Sequence, residues 1–329
     1  TGDHAISSGL ILSNEVLTGF AGSRLRLRSD NTIDIYGELL NTAEDTELVF
    51  AELNLDSTGL MGIDNESDSV SLVTGNISLS NTTGNEVANA GSTANGSQLT
   101  ITADRINLDE GVFKVKGYEV VDLQANQAMV VKEEGELLAE APLNINAPLI
   151  TGGTGADYTI TALDAELTVT GSDPLAALPA DHGLAASLLL QANSVDFAGR
   201  VVLPSGHVHL HQLGDMTSPV TGDNIEIRPE AIIDVAGTSQ QYGPEIFITD
   251  GGTIYVQAET GDINLYTGSE FDVSAGTEMG EAGGIQLESP NGSLDIATGV
   301  AFVAAGNGGD FLLDADTLDV DGVNDGMAY

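Results

Sequence analysis

The sequence predicts an all-β chain wound as a parallel β-helix, and three observations predict it. The first is an internal repeat. Ile254 and Val256 align with Ile285 and Leu287, Ile263 and Leu265 with Leu294 and Ile296, and Phe271 with Phe302, every pair thirty-one residues apart. The second is the alternation of apolar with polar residues in runs of about four to six, too short for ordinary helices and suited to strands with one face inward. The third is corner composition: Gly, Asn, Asp and Ser recur about every nine residues, supplying positive φ or local side-chain hydrogen bonds where the chain turns. Three strands and three corners make one triangular coil of roughly 25 residues, and stacking the next coil pairs each strand in parallel with its successor.

Composition narrows the partners. The 329 residues carry 9 Lys plus Arg against 50 Asp plus Glu, a formal net charge of −41, and none of the basic residues follows Arg228. Repulsion disfavours nucleic acid and anionic membrane, while divalent cations and basic surfaces are favoured. The absence of cysteine excludes disulfides and thiolate metal sites. No apolar run reaches the length that crosses a bilayer, so membrane insertion is not expected. Because each coil needs only its neighbours, residues 1–329 read as one elongated body, a rod of roughly 60 Å at about 4.8 Å per coil. It begins at Thr1 without a charged-then-apolar leader and reads as a segment of something longer.

In chain order, residues 1–20 show little alternation and read as a partial coil. RLRLR then sets Leu25 and Leu27 against Arg24, Arg26 and Arg28, and TIDIY does the same with Ile33 and Ile35. The arginines form the one dense basic patch, either a phosphate or sulfated-glycan site or a solvated face pairing with acidic neighbours. Alternation continues to Leu108, broken by a polar extension over residues 81–96 that should project from the rod. Strand follows strand from Gly111 to Gly171, with Asn144 and Asn146 alternating with Leu143, Ile145 and Ala147. Residues 172–187, with two prolines and an Ala/Leu run, read as a loop extension or one short helix that interrupts the stack. LLLQANSVDF and VVLPSGHVHLHQL restart the strands and lead into the repeats.

The run LTITADRINLDEGVFKVKGYEVVDLQANQAMVV, then GADYTITALDAELTVTG, then coils of the GGTIYVQAETGDINLYTGSEFDVSAG type, resembles the filamentous haemagglutinin-like large exoproteins of bacterial two-partner secretion. The resemblance covers about residues 97–321 and lies in repeat texture. It implies a right-handed β-helical shaft, export through an outer-membrane transporter, and a secreted, cell-surface or matrix role in adhesion, aggregation or biofilm.

Two residue sets are candidates for metal chemistry. His207, His209 and His211 share one face of a strand, about 7 Å apart, where neighbouring imidazoles could share a transition metal with Asp215 beside them; the alternative is a solvated face. Asp314, Asp316, Asp319, Asp321 and Asp325 crowd around Gly322 with no basic partner, an arrangement that invites calcium, or else acidic corners on a soluble rod. Asn65, Asn76, Asn81, Asn95 and Asn291 begin N-x-Ser/Thr triplets. No phosphate loop or nucleophile turn occurs, and the scarcity of aromatic residues argues against a sugar-cleaving cleft, so no catalytic residue or required cofactor is assigned. The expected function is a structural, non-enzymatic segment of an adhesin or fibre, contacting polysaccharide, a host or neighbouring cell, or further copies of itself. The alternative is a calcium-dependent polysaccharide-binding or self-associating module, and a β-helical polysaccharide lyase or hydrolase stands third.

Overall fold

The computed structural model describes residues 10–36, 49–63, 69–86, 97–214, 223–242, 245–277 and 279–321. Among them, 23 strands join one large, mostly parallel sheet, and Ser239–Tyr242 with Glu245–Ile248 forms a separate antiparallel hairpin. The one helix among the described residues, Asn14–Thr18, is a single turn whose N-cap Ser13 accepts from the Val16 amide and whose Leu17 is buried. The irregular stretch expected before residue 20 is corrected to that extent. One turn is too short to display a helical period.

Three ladders, visited in turn, make up the sheet. The first joins residues 69–74, 98–103, 120–125, 143–146, 167–170, 195–197, 225–227, 263–265, 294–296 and 318–320. The second joins 24–28, 52–56, 76–80, 105–108, 128–131, 150–152, 200–202, 232–234, 270–272 and 301–303. The third joins 33–36, 59–63, 111–116, 134–139, 157–162, 187–192, 207–212, 253–258, 284–288 and 310–315.

In-register pairing turns alternation along a strand into columns across strands. Leu99, Val121, Leu143, Leu167, Val195, Ile225, Ile263 and Leu294 form one column of the first ladder, all nearly inaccessible. Burial of each such side chain contributes about 1.5–3 kcal/mol relative to exposure. Asn144 and Asn146 face outward, Asn144 donating to Asp122 one rung earlier at 2.7 Å, while Leu143, Ile145 and Ala147 are buried.

Several strands are far longer than the four to six residues expected. Asp157–Thr170 has 14 residues and Gly284–Ile296 has 13. Each passes from the third ladder into the first alongside the same neighbouring strand, with the register broken and resumed between Ala162 and Glu166 and between Ser289 and Ser293. A bulge bends the strand, so no separate turn is needed at that corner.

Each anticipated extension stands where a rung would be. Residues 172–186 contain no strand, and the second ladder closes directly from Ile150 to Val201. Of the two alternatives, a loop or one short helix, the loop is found; Ser187 already belongs to the next strand, and the stack is not interrupted, because Ile160 pairs with Leu190 and Leu167 with Val195. The extension lies on the outside of the second ladder, with Ala176 and Leu178 packed on Ala128, Val130, Leu149 and Val202. Arg200 donates to the Ala176 carbonyl at 3.0 Å, and Arg105 binds Asp181 at 2.5 Å. Of the 81–96 extension only residues 81–86 are described; they form no strand, and Gly59–Met61 pairs directly with Lys114–Lys116.

Candidate functional site

The strand His207–Gln212 buries Val208, Leu210 and Gln212 and turns His207, His209 and His211 to its other face. Their contacts diverge. His207 meets the Thr253 hydroxyl, His211 Nε2 lies 3.0 Å from Glu259 Oε1, and His209 stacks on His211 at 5.1 Å and on Tyr255 at 4.4 Å. Burial, with His211 alongside, pushes the His209 imidazole down to about 4, so it is neutral at pH 7. Asp215 lies outside the described residues. The arrangement is a ring stack flanked by a carboxylate: His207 and His211 are engaged separately, and the buried His209 Nε2 has no hydrogen-bond partner among the described residues.

Asp314, Asp316 and Asp319 are exposed on the strand Asp310–Val320, and Asp321 follows it. Asp325 lies outside the described residues. Glu288 pairs with Asp314 and Asp295 with Asp319, so acids sit opposite acids on adjacent rungs. Partial burial and then the charges of Asp319, Asp262 and Asp321 raise the Asp295 carboxyl above its ordinary range. Among the described residues, no three His, Cys, Asp or Glu side chains are gathered as a metal would require.

The arginine face meets carboxylates. Arg24 lies 3.1 Å from Glu52, its register partner, while Arg26 and Arg28 approach Asp56 at 2.8 and 3.5 Å. Asp56 is buried and also accepts from the Thr82 amide and hydroxyl, at 3.0 and 2.9 Å. Burial alone would raise this carboxyl, but the bonds from Thr82 and Arg26 and the charge of Arg28 hold it below the usual range. Of the five N-x-Ser/Thr asparagines, Asn76 and Asn291 are exposed, whereas Asn81 is buried with its amide donating to the Asn85 and Val112 carbonyls. Asn65 and Asn95 lie outside the described residues.

One feature has no signal in any local stretch of sequence. A cleft of about 410 Å³ opens between Tyr118, Glu119, Glu140, Pro142, Leu163 and Asp164. Its walls come from three successive rungs, and only the stacking brings them together.

Comparison with family models, with curated proteins and with solved structures finds no match. The fold defines the class: an all-β protein built on a large, mostly parallel sheet.

Proposed function

We propose that the chain is a right-handed parallel β-helix that serves as a shaft segment of a secreted, cell-surface or matrix adhesin of the two-partner secretion type. The observation that supports it most is the set of three in-register ladders, each with apolar side chains on one face and polar ones on the other. Such a stack gains stability from every added turn and offers length and stiffness, with no need for a catalytic centre. Its adhesive surface would lie in the extensions at 81–96 and 172–187, where departure from the repeat frees side chains for contact. The repeat texture of about residues 97–321 is the ground for the export route and the family.

A second reading, a calcium-dependent module binding polysaccharide or its own copies, draws on the facing acids Asp295 and Asp319 and on the exposed Asp314, Asp316 and Asp321. Sedimentation velocity and thermal melting with calcium, then with chelator, separate the two. An elongated monomer indifferent to calcium supports the shaft. Larger assemblies and a higher melting temperature only with calcium favour the second reading, and a compact frictional ratio in both conditions sinks the rod.

A further inference from the structure

We infer that the outer face of the third ladder, over the rungs 187–192, 207–212 and 253–258, is a binding surface for a neutral polysaccharide chain lying along the axis of the stack. These three consecutive rungs pair in register without a shift and contain no Asp, Glu, Lys or Arg. Carboxylates return on either side, with Glu134, Glu136 and Asp157 before the window and Glu288, Asp310 and Asp314 after it. In a chain of net charge −41 the window offers no carboxylate, ammonium or guanidinium to an ionic ligand, and it does not repel an uncharged one.

Register sorts the outward side chains into columns. Leu189, His209 and Tyr255 make a middle ridge, with the His209 and Tyr255 rings stacked at 4.4 Å. His207 and Thr253 run along one side of it, both exposed, and the amides of Gln191 and Gln257 along the other. A sugar ring has the same division, C–H groups on its faces and hydroxyls at its rim, so an apolar ridge between two hydrogen-bonding columns matches it. Rungs lie about 4.8 Å apart, close to the rise per sugar of an extended chain, so successive sugars meet equivalent columns. The polar groups are already held in place: His207 meets the Thr253 hydroxyl, Gln191 donates to Thr161 at 2.9 Å and His211 Nε2 lies 3.0 Å from Glu259. Little ordering cost is then left for binding. A protein partner fits less well. Three rungs of six residues present roughly 300 Å², well under the ~800 Å² per partner of a standard interface. A second copy would also bring its own net charge of −41 against the acids at both borders.

The inference needs the stacked third ladder and not the adhesin reading. Affinity electrophoresis of the full chain through gels containing dextran, laminarin or glucomannan, with polygalacturonate as the acidic counterpart and chelator throughout, tests it. Retardation by at least one neutral polysaccharide and none by polygalacturonate is expected. The double variant Leu189→Thr, Tyr255→Gln turns the ridge into uncharged polar groups and should bind tenfold or more weakly, while Asp314→Asn, Asp316→Asn should change binding less than twofold. Thr253→Ala, at an exposed position, should weaken binding several-fold with melting unchanged, which keeps the site testable if the double variant unfolds. Absence of retardation in every neutral gel, equal retardation of parent and ridge variants, or binding that returns only when calcium replaces chelator overturns the proposal. So does a dimer of the parent in sedimentation velocity that the double variant loses, since the face would then join two copies. An elongated particle that ignores every gel leaves the shaft standing and removes this site alone.

Discussion

Phe302 stacks on Phe271 with ring centroids 5.2 Å apart, and the two are register partners on adjacent strands of the second ladder. They are also equivalent positions of the sequence repeat. Phe271 is fully buried, whereas Phe302 is only partly so and touches Phe311 at 4.9 Å. Phe271→Ala should therefore cost about 3–5 kcal/mol, and Phe302→Ala clearly less. Urea midpoints of the two variants check this, and equal losses would contradict the assigned burial.

Gly206, Gly252 and Gly283 follow one another at the entry to the third ladder. A Cβ on Gly252 would come within 1.9 Å of the Gly206 carbonyl oxygen, and one on Gly283 within 1.7 Å of the Gly252 oxygen. None of the three has positive φ, so close approach of successive turns is what requires glycine here. Gly252→Ala should destabilise by about 1–3 kcal/mol through forced backbone movement. At Gly308, where φ is +69° and nothing lies within 4 Å of the added carbon, only conformational strain of about 1 kcal/mol is expected. Thermal melts of the two alanine variants read the difference.

Asp56 holds Arg26, Arg28 and Thr82 at once. Asp56→Ala leaves the Thr82 amide without its acceptor and should cost about 1–3 kcal/mol at pH 7. Because the folded carboxyl titrates below its unfolded value, its contribution is complete above about pH 4 and disappears as pH falls through the lower folded value. The gap between parent and variant in urea should accordingly narrow in acid; a gap independent of pH would show that the charge of Asp56 does not matter.

His209 loses stability in acid as well, but for the opposite reason, since burial disfavours its charged form. Its folded value of about 4 lies below the ordinary 6.5, so the unfolded chain takes up a proton that the folded chain refuses. Stability is lost as pH falls from about 6.5 toward 4. A His209→Gln variant lacks that loss and should gain on the parent across this window, measured as melting temperature at pH 7 and pH 4.5. Parallel pH profiles would exclude the buried neutral imidazole.

Asp295 carries a cost at neutral pH. Its folded carboxyl is raised by burial and by the charges of Asp319, Asp262 and Asp321, so the penalty is present above the folded value and vanishes below the unfolded one. Asp295→Asn should melt higher than the parent at pH 7 and low salt, and added salt should shrink the gain by screening. A lower melting temperature for the variant would mean that Asp295 has a favourable partner.

How much was legible depends on how regular the turns are. Ile254 to Ile285 and Ile263 to Leu294 could be read as pairs because each turn there is of equal length, so the repeat offset is the register itself. Elsewhere the turns differ in length: Leu99 pairs with Val121, but Ile225 pairs with Ile263 across an inserted hairpin, and no fixed offset exposes both. The histidine and aspartate runs were visible as runs, since residues two apart on a strand share a face. That His209 would lie between His211 and Tyr255 was not visible, because Tyr255 arrives from the next turn.

Sequence by itself determined which side chains face inward. Alternation in a strand needs no knowledge of the neighbours, and the columns from Leu99 to Leu294 follow once each strand stacks in register. Only the tertiary structure decided that residues 172–186 leave the second ladder to close from Ile150 to Val201, that Gly252 must lack a side chain, and that Glu119, Glu140 and Asp164 share one cleft. The reason is the same in each case. Contacts along the stack join residues a full turn apart, and their spacing is set by backbone hydrogen bonds between turns, not by any interval along the chain.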